Sequence, residues 1–299
     1  MKSASKKHTN TWFSLITFIS MVCVGIILGQ LALKILFATS GITSQGFIAV
    51  KTKYKDILLF SQAIMATAIF IVGPLLYWYV CEKKSIHYFF SGEQKYGRFI
   101  ILTLGLTFAA MMVNTFFIDW NMHVKFPAWL KGFEEWSQQK EEQLRELTKL
   151  LTTFKSLRDL LKTIVVIAII PAIGEEFVFR GILQNLFFRS TKNIHISILI
   201  SAFIFSAIHL QIYGFVPRVL LGVLFGYIYW WTQNLTFPII AHFFNNSFAL
   251  VTLFLYHKKG IGYDLDNGQT LPLPAILLFA SIVMYLAIYF EKNTRYIHK

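Results

Sequence analysis

The sequence predicts an all-α polytopic transmembrane helix bundle of about eight spans, and three observations predict it. Of its 299 residues, 56% are hydrophobic and 14% charged, whereas charged residues make up about a quarter of an ordinary soluble domain. Mean hydropathy is +0.56. Eight apolar runs, 12–37, 57–80, 99–118, 163–188, 194–210, 216–231, 238–256 and 273–290, approach the ~20 residues that carry a helix across a ~30 Å hydrocarbon core.

The first run follows a basic stretch with Lys2, Lys6 and Lys7 that resembles the n-region of a signal peptide. It extends well past the ~7–15 residues of a signal h-region, and no small-residue cleavage site follows, so it reads as a retained span. Cys23 and Cys81, the two cysteines, lie inside apolar runs, which supports neither a disulfide framework nor a thiolate metal site. The net charge of +13 sits mostly in short segments between runs, as in loops that meet anionic headgroups, and argues against a nucleic-acid partner. Lys83, Lys84, Lys95 and Arg98 form the clearest basic loop, and the N-terminus agrees with the tail residues Lys292, Arg295 and Lys299; Lys51, Lys53 and Lys55 lie on the other side. The expectation is a multi-pass protein of the plasma membrane, surrounded by lipid, with both termini cytoplasmic.

Residues 1–118 read as three scaffold spans, 119–162 as a polar helical segment, 163–257 as a four-span core, and 258–299 as a last span with a basic tail. Within the polar segment, Trp129, Phe133, Trp136, Leu144, Leu147, Leu151 and Phe154 recur at three- and four-residue steps. Glu134, Glu135, Glu141, Glu142 and Glu146 fall between them, which makes an amphipathic helix that lies on the membrane surface or caps the bundle, with a lid as the other reading. Pro171 removes a backbone donor in the fourth span and is expected to free a carbonyl near Val166 or Ile167. Gly222 and Gly226 are spaced for close packing of the sixth span on a neighbour. No internal repeat of the transporter kind is visible.

The polar residues inside the apolar runs concentrate after position 170. Glu175, Glu176 and Arg180 lie in the fourth span, where an unpaired charge costs about 2.5–3.5 kcal/mol on insertion scales. Glu176 and Arg180 are four apart, share a helix face and form a buried pair. Glu175 points about 100° away and needs a partner or a cavity of its own. The fifth span holds Phe205 and His209, and the seventh holds His242 and Asn246, again four apart. His8, His87, His123, His195, His257 and His298 sit at ends or in loops. A desolvated glutamate, two histidines and an asparagine on adjacent helices are the parts of a water-mediated hydrolase. Zinc bound by Glu175, His209 and His242 is the metal alternative, although no His-Glu-x-x-His spacing is present.

At these residues the chain resembles the CAAX-protease and bacteriocin-processing (CPBP, Abi) family of intramembrane endopeptidases, which includes the eukaryotic prenyl-protein endopeptidase. The family's three motifs, Glu-Glu-x-x-x-Arg, Phe-x-x-x-His and His-x-x-x-Asn, occur here in order as Glu175/Glu176/Arg180, Phe205/His209 and His242/Asn246. The resemblance covers roughly residues 163–256. It implies that Glu175 is general base on a water, assisted by His209, that His242 and Asn246 stabilise the oxyanion, and that Glu176 and Arg180 fix the helix. It implies a peptide or lipidated-protein substrate and favours metal-free chemistry. A membrane immunity or stress protein that binds a partner without cleaving it is the alternative from another class.

If spans five, six and seven all crossed straight, His209 and His242 would lie on opposite sides of the membrane. A shared site therefore requires either a tilted or incompletely spanning 216–231 segment or motif helices offset in depth, and a separation of the two histidines below about 12 Å.

Overall fold

The computed structural model describes residues 11–40, 55–90, 96–259 and 270–294, and among them every regular element is helical. Nine longer helices run in chain order: α1 (Thr11–Ser40), α2 (Lys55–Glu82), α3 (Tyr96–Met122), α4 (Lys131–Leu151), α5 (157–191), α6 (Ile194–Ala207), α7 (Phe215–Thr232), α8 (Thr236–Lys259) and α9 (Leu273–Thr294). Six of them, α1, α2, α3, α7 with the turn before it, α8 and α9, are long and apolar enough to cross a membrane. The other two expected spans carry the first two motifs. In α5 the charges of the first motif interrupt the apolar run, and α6 has 14 residues, or roughly 21 Å at 1.5 Å per residue, short of a ~30 Å core. The protein is thus a multi-pass helical membrane protein. The basic residues Lys2, Lys6, Lys7, Lys51, Lys53, Lys95, Arg295 and Lys299, used to orient it, lie outside the described residues.

The shortened element is a motif helix, α6, and not the 216–231 segment. The segment at 216–231 forms an 18-residue helix, while α6 stops at Ala207 and the chain turns through His209 and Leu210, the latter at φ 55°. A branched side chain in that left-handed region is strained. The early stop leaves His209 at the end of a half-length helix instead of at a membrane face.

Of the four core clusters among the described residues, two are the largest, and the motif residue Phe205 belongs to the first. One joins Phe18, Tyr77, Trp78 and Phe89 to Phe177, Phe179, Ile182, Phe205 and Tyr229; the other joins Phe99 and Leu106 to Phe225, Ile228, Phe237, Ala241 and Phe290. Helices α2 and α5 run side by side and are tied at both ends. Lys162 Nζ donates to Asp56 Oδ2 at 2.7 Å, and Arg189 grips Glu82 with Nη1 and Nη2 at 2.7 and 3.0 Å. Tyr77 also donates to Glu82, at 2.9 Å. The exposed Lys162–Asp56 pair contributes little to stability, while the two-point Arg189–Glu82 pair has the geometry that counts.

The start of α5 is written in Ser156 and Asp159. Ser156 Oγ accepts the Asp159 N–H, and Asp159 Oδ2 accepts the Lys155 N–H at 3.0 Å, which caps the first turn. That backbone bond holds the Asp159 carboxyl below its ordinary range. Two π-helical turns then interrupt α5, at Val165–Ile169 and Phe177–Leu183. Such turns leave helix carbonyls in need of partners. Ser201 Oγ donates to Phe179 O at 2.9 Å, and Asn185 Nδ2 donates to Arg180 O and Gly181 O at 3.0 and 2.8 Å.

Helix α4 docks through its C-terminal half, where Leu147, Leu150 and Leu151 pack on Leu58, Leu59, Val166 and Ile167. Its other end keeps Trp129, Phe133 and Trp136 exposed. Gly174, the residue before Glu175, is where α5 touches α2: a Cβ there would stand 2.7 Å from Phe70 Cβ and 3.3 Å from Phe70 O. Gly174→Val is expected to cost about 1–3 kcal/mol through overpacking, read as a lower midpoint of thermal unfolding in nanodiscs. Gly97→Ala, where no atom lies within 4 Å, serves as the neutral control.

Candidate active site

Glu176 and Arg180 form the buried pair expected from their spacing. Arg180 Nη1 donates to Glu176 Oε1 at 2.7 Å, with side-chain exposures of 1% and 0%. The guanidinium also donates through Nη2 to Gly222 O at 2.8 Å, and it lies 5.0 Å from the Phe205 ring centroid and 5.4 Å from that of Phe225. These contacts satisfy a charge that would otherwise be intolerable in an apolar interior. Gly222 enables them: a Cβ there would come within 3.0 Å of Ala202 Cβ, so α7 lies close against α6. Gly226 repeats the contact one turn on, where Gln184 Nε2 donates to its carbonyl at 3.2 Å.

Glu176 does more than hold Arg180. Its Oε1 also takes His242 Nδ1 at 2.8 Å. A carboxylate paired with arginine accepts, so Nδ1 carries the hydrogen and His242 Nε2 is left with a lone pair. That nitrogen lies 3.9 Å from Glu175 Oε2, too far for a direct hydrogen bond. The His242 ring stacks on Phe225 at 5.4 Å and meets Phe205 edge-on at 6.0 Å. Glu175 is 8% exposed, and none of the hydrogen bonds found among the described residues ends on its carboxylate.

His209 donates Nδ1–H to Phe205 O, the carbonyl four residues back, at 2.7 Å. A carbonyl only accepts, so the lone pair of His209 is also on Nε2. Its ring lies 5.2 Å from that of Phe205. Because both imidazoles touch the same phenyl ring, they lie within the ~12 Å span that one reacting group can bridge. Asn246, one turn beyond His242, donates Nδ2 to Ile167 O at 3.2 Å and accepts from Asn245 Nδ2 at 3.0 Å. Ile167 stands four residues before Pro171, which has no N–H to offer it. The proline thus prepares the carbonyl that positions the asparagine.

The structure brings Glu175, Glu176, Arg180, Phe205, His209, His242 and Asn246 to one region. Among the described residues no three His, Cys, Asp or Glu side chains converge as a metal-ion site. Three neighbours escaped the sequence reading. Phe225 looked like one more aromatic in an apolar run, although its place three residues after Gly222 puts it beside the close approach. Arg218 could have been found as a cation within an apolar span, and its charge acts on Glu175 and His209. Gln211 follows the second motif by two residues and accepts from Arg218 Nη2 at 2.9 Å.

Fold and site together define a polytopic helical membrane protein whose interior holds a glutamate, two histidines and an asparagine on three neighbouring helices, supported by a buried Glu–Arg pair. Residues 158–248 match the family described as type II CAAX prenyl endopeptidase Rce1-like, which bears out the resemblance drawn from the three motifs. The chain is also similar to an uncharacterized protein, YpbD, of Bacillus subtilis (strain 168), with 32% identity over 34% of this chain and 51% of that one. It is similar to the membrane-embedded CAAX protease MroQ of Staphylococcus aureus (strain USA300), with 32% identity over 28% of this chain and 36% of that one. The matched parts thus span about half of the first relative and about a third of the second. No solved structure matches the chain.

Proposed function

We propose that the protein is an intramembrane endopeptidase that hydrolyses a peptide bond of a membrane-associated or lipidated protein or peptide, using a water activated by Glu175. The observation that carries this reading is an unengaged, buried carboxylate 3.9 Å from an imidazole nitrogen whose ring is already anchored by Glu176. The match of residues 158–248 to a prenyl endopeptidase family supports the same reaction class.

A water oxygen about 2.8 Å from both Glu175 Oε2 and His242 Nε2 would see them at roughly 90°, near its own H–O–H angle, and so donate to each while turning a lone pair outward. As that oxygen attacks the peptide carbonyl, Glu175 takes one of its protons. The proton passes to His242 Nε2, which changes from acceptor to donor as the oxyanion develops. When the C–N bond breaks, the proton goes to the departing amine, and a carboxylic acid and an amine leave. Asn246 has given one amide hydrogen to Ile167 and keeps a second for the oxyanion. His209, with its lone pair on Nε2, orients the water or accepts from the peptide N–H.

In this scheme no metal takes part. Treatment with a chelator is expected to leave the cleavage rate unchanged; loss of activity that zinc restores would contradict the metal-free reading. Comparative membrane peptidomics of wild type and Glu175→Ala tests the function as a whole. A fragment made by the wild type and absent from the variant, at equal protein levels, is the expected result, and identical peptide profiles would favour a partner-binding role.

A further inference from the structure

Arg218 sits in the first turn of α7, directly after Pro217, and its guanidinium is only partly engaged. Nη2 donates to Gln211 Oε1, while Nη1 is buried and has no hydrogen-bond partner among the described residues. Gln211, the partner of Nη2, stands two residues after His209 and reaches Glu141 of α4 as well. Among the described residues Arg218 forms no ion pair with Glu141 or with Glu175. Glu141 stops one step short: its Oε1 takes Gln211 Nε2 at 3.3 Å, and its Oε2 is likewise buried without a hydrogen-bond partner.

The surroundings fix the turn that carries the guanidinium. At Gly214 a Cβ would stand 2.8 Å from Arg218 Nη2, so the glycine leaves the guanidinium room beside the backbone. Asn121 of α3 accepts the Val216 N–H at 2.9 Å and donates to Ile212 O at 3.0 Å, and Asn114 Nδ2 donates to Pro217 O at 3.2 Å. The turn that carries Arg218 is therefore fixed from behind by an otherwise scaffold-like span. A guanidinium whose Nη1 is buried without a hydrogen-bond partner among the described residues, on a turn fixed in this way, can receive a planar anion.

We propose that Arg218 is a specificity-determining residue that binds a carboxylate of the substrate peptide beside Glu175. The proposal deepens the endopeptidase reading and rests on it for the nature of the ligand. The carboxylate is either the α-carboxylate of a C-terminus close to the scissile bond or the side chain of an aspartate or glutamate. Gln211, between Arg218 and Glu141, adds an amide donor next to the guanidinium. Burial pushes the Glu141 carboxyl above its ordinary range, with Arg218 acting in the opposite direction.

The test uses a synthetic, lipid-anchored peptide library made in three forms: C-terminal acids, the same peptides as C-terminal amides, and acids with Asp and Glu replaced by Asn and Gln. Binding is measured on the full-length chain carrying Glu175→Ala in nanodiscs, and cleavage on the wild type. With Arg218 intact, carboxylate-bearing peptides are expected to be enriched about tenfold or more over their neutral counterparts, as for a charge-assisted pair. The additional substitution Arg218→Gln should bring that ratio to about one. Arg218→Lys keeps the charge and loses the fork, so it should retain a reduced ratio, and it serves where the glutamine variant does not fold. Loss of enrichment on amidation assigns the α-carboxylate, and loss on Asp and Glu replacement assigns a side chain. A ratio of one with Arg218 intact, or an unchanged ratio in either variant, overturns the proposal. Arg218-dependent enrichment without any cleavage by the wild type would overturn the endopeptidase reading and leave the carboxylate site standing.

Discussion

Glu175→Gln is expected to slow cleavage of the target peptide by about 10²–10⁴-fold, the range associated with a positioned general base, while leaving the protein at least as stable as the wild type. The two halves of this result come from one structural fact. No hydrogen bond found among the described residues ends on the Glu175 carboxylate, and its nearest basic atom is His242 Nε2 at 3.9 Å. A glutamine of the same shape breaks no bond of the fold and removes a charge from a buried position, which relieves a desolvation cost. Initial rates on the fragment identified by peptidomics, with thermal unfolding of the same nanodisc preparations, measure both quantities.

Glu176→Leu should give the opposite pattern, with a loss of about 3–5 kcal/mol of stability. Arg180, 1% exposed, would keep only the Gly222 carbonyl and two aromatic faces, and His242 would lose the acceptor that fixes its ring. An uncompensated buried cation is the larger of these two penalties. Because removing both charges abolishes it, Glu176→Leu combined with Arg180→Met is expected to recover most of the lost stability, as in other buried pairs replaced by apolar residues. Thermal unfolding of the two single variants and the double variant closes the cycle. A double variant no more stable than Glu176→Leu alone would mean that the His242 contact, not the Arg180 charge, dominates.

Much of this arrangement was legible in residue spacing. Glu176 and Arg180 share a face because a helix repeats every 3.6 residues, and Pro171 frees the Ile167 carbonyl because proline has no N–H. Both are local facts. The sequence did not indicate which side chain would occupy that carbonyl, and Asn246 comes to it from a helix 79 residues away. The π-turns at Val165–Ile169 and Phe177–Leu183 have no compositional signature; Asn246 serves a carbonyl of the first, and Ser201 with Asn185 serves those of the second, so partners on other helices take part in both. Spacing alone left open whether a brief 216–231 segment or an offset of the motif helices brings the histidines together. In the fold the brief helix is α6, since its apolar run continues in composition through Ile208 and Leu210 after the backbone has already turned. Arg218 carries no motif spacing, and only its unpartnered Nη1 and its neighbours mark it out.

The central claim is a division of labour between adjacent glutamates, chemistry for Glu175 and structure for Glu176. The most direct measurement puts Glu175→Gln and Glu176→Leu side by side in nanodiscs and records, for each, the unfolding midpoint and the hydrolysis rate per folded molecule. The account predicts an unchanged or raised midpoint with a rate lowered at least about 10²-fold for Glu175→Gln, and a markedly lowered midpoint for Glu176→Leu. Wild-type hydrolysis by Glu175→Gln, or a wild-type midpoint for Glu176→Leu, would contradict it.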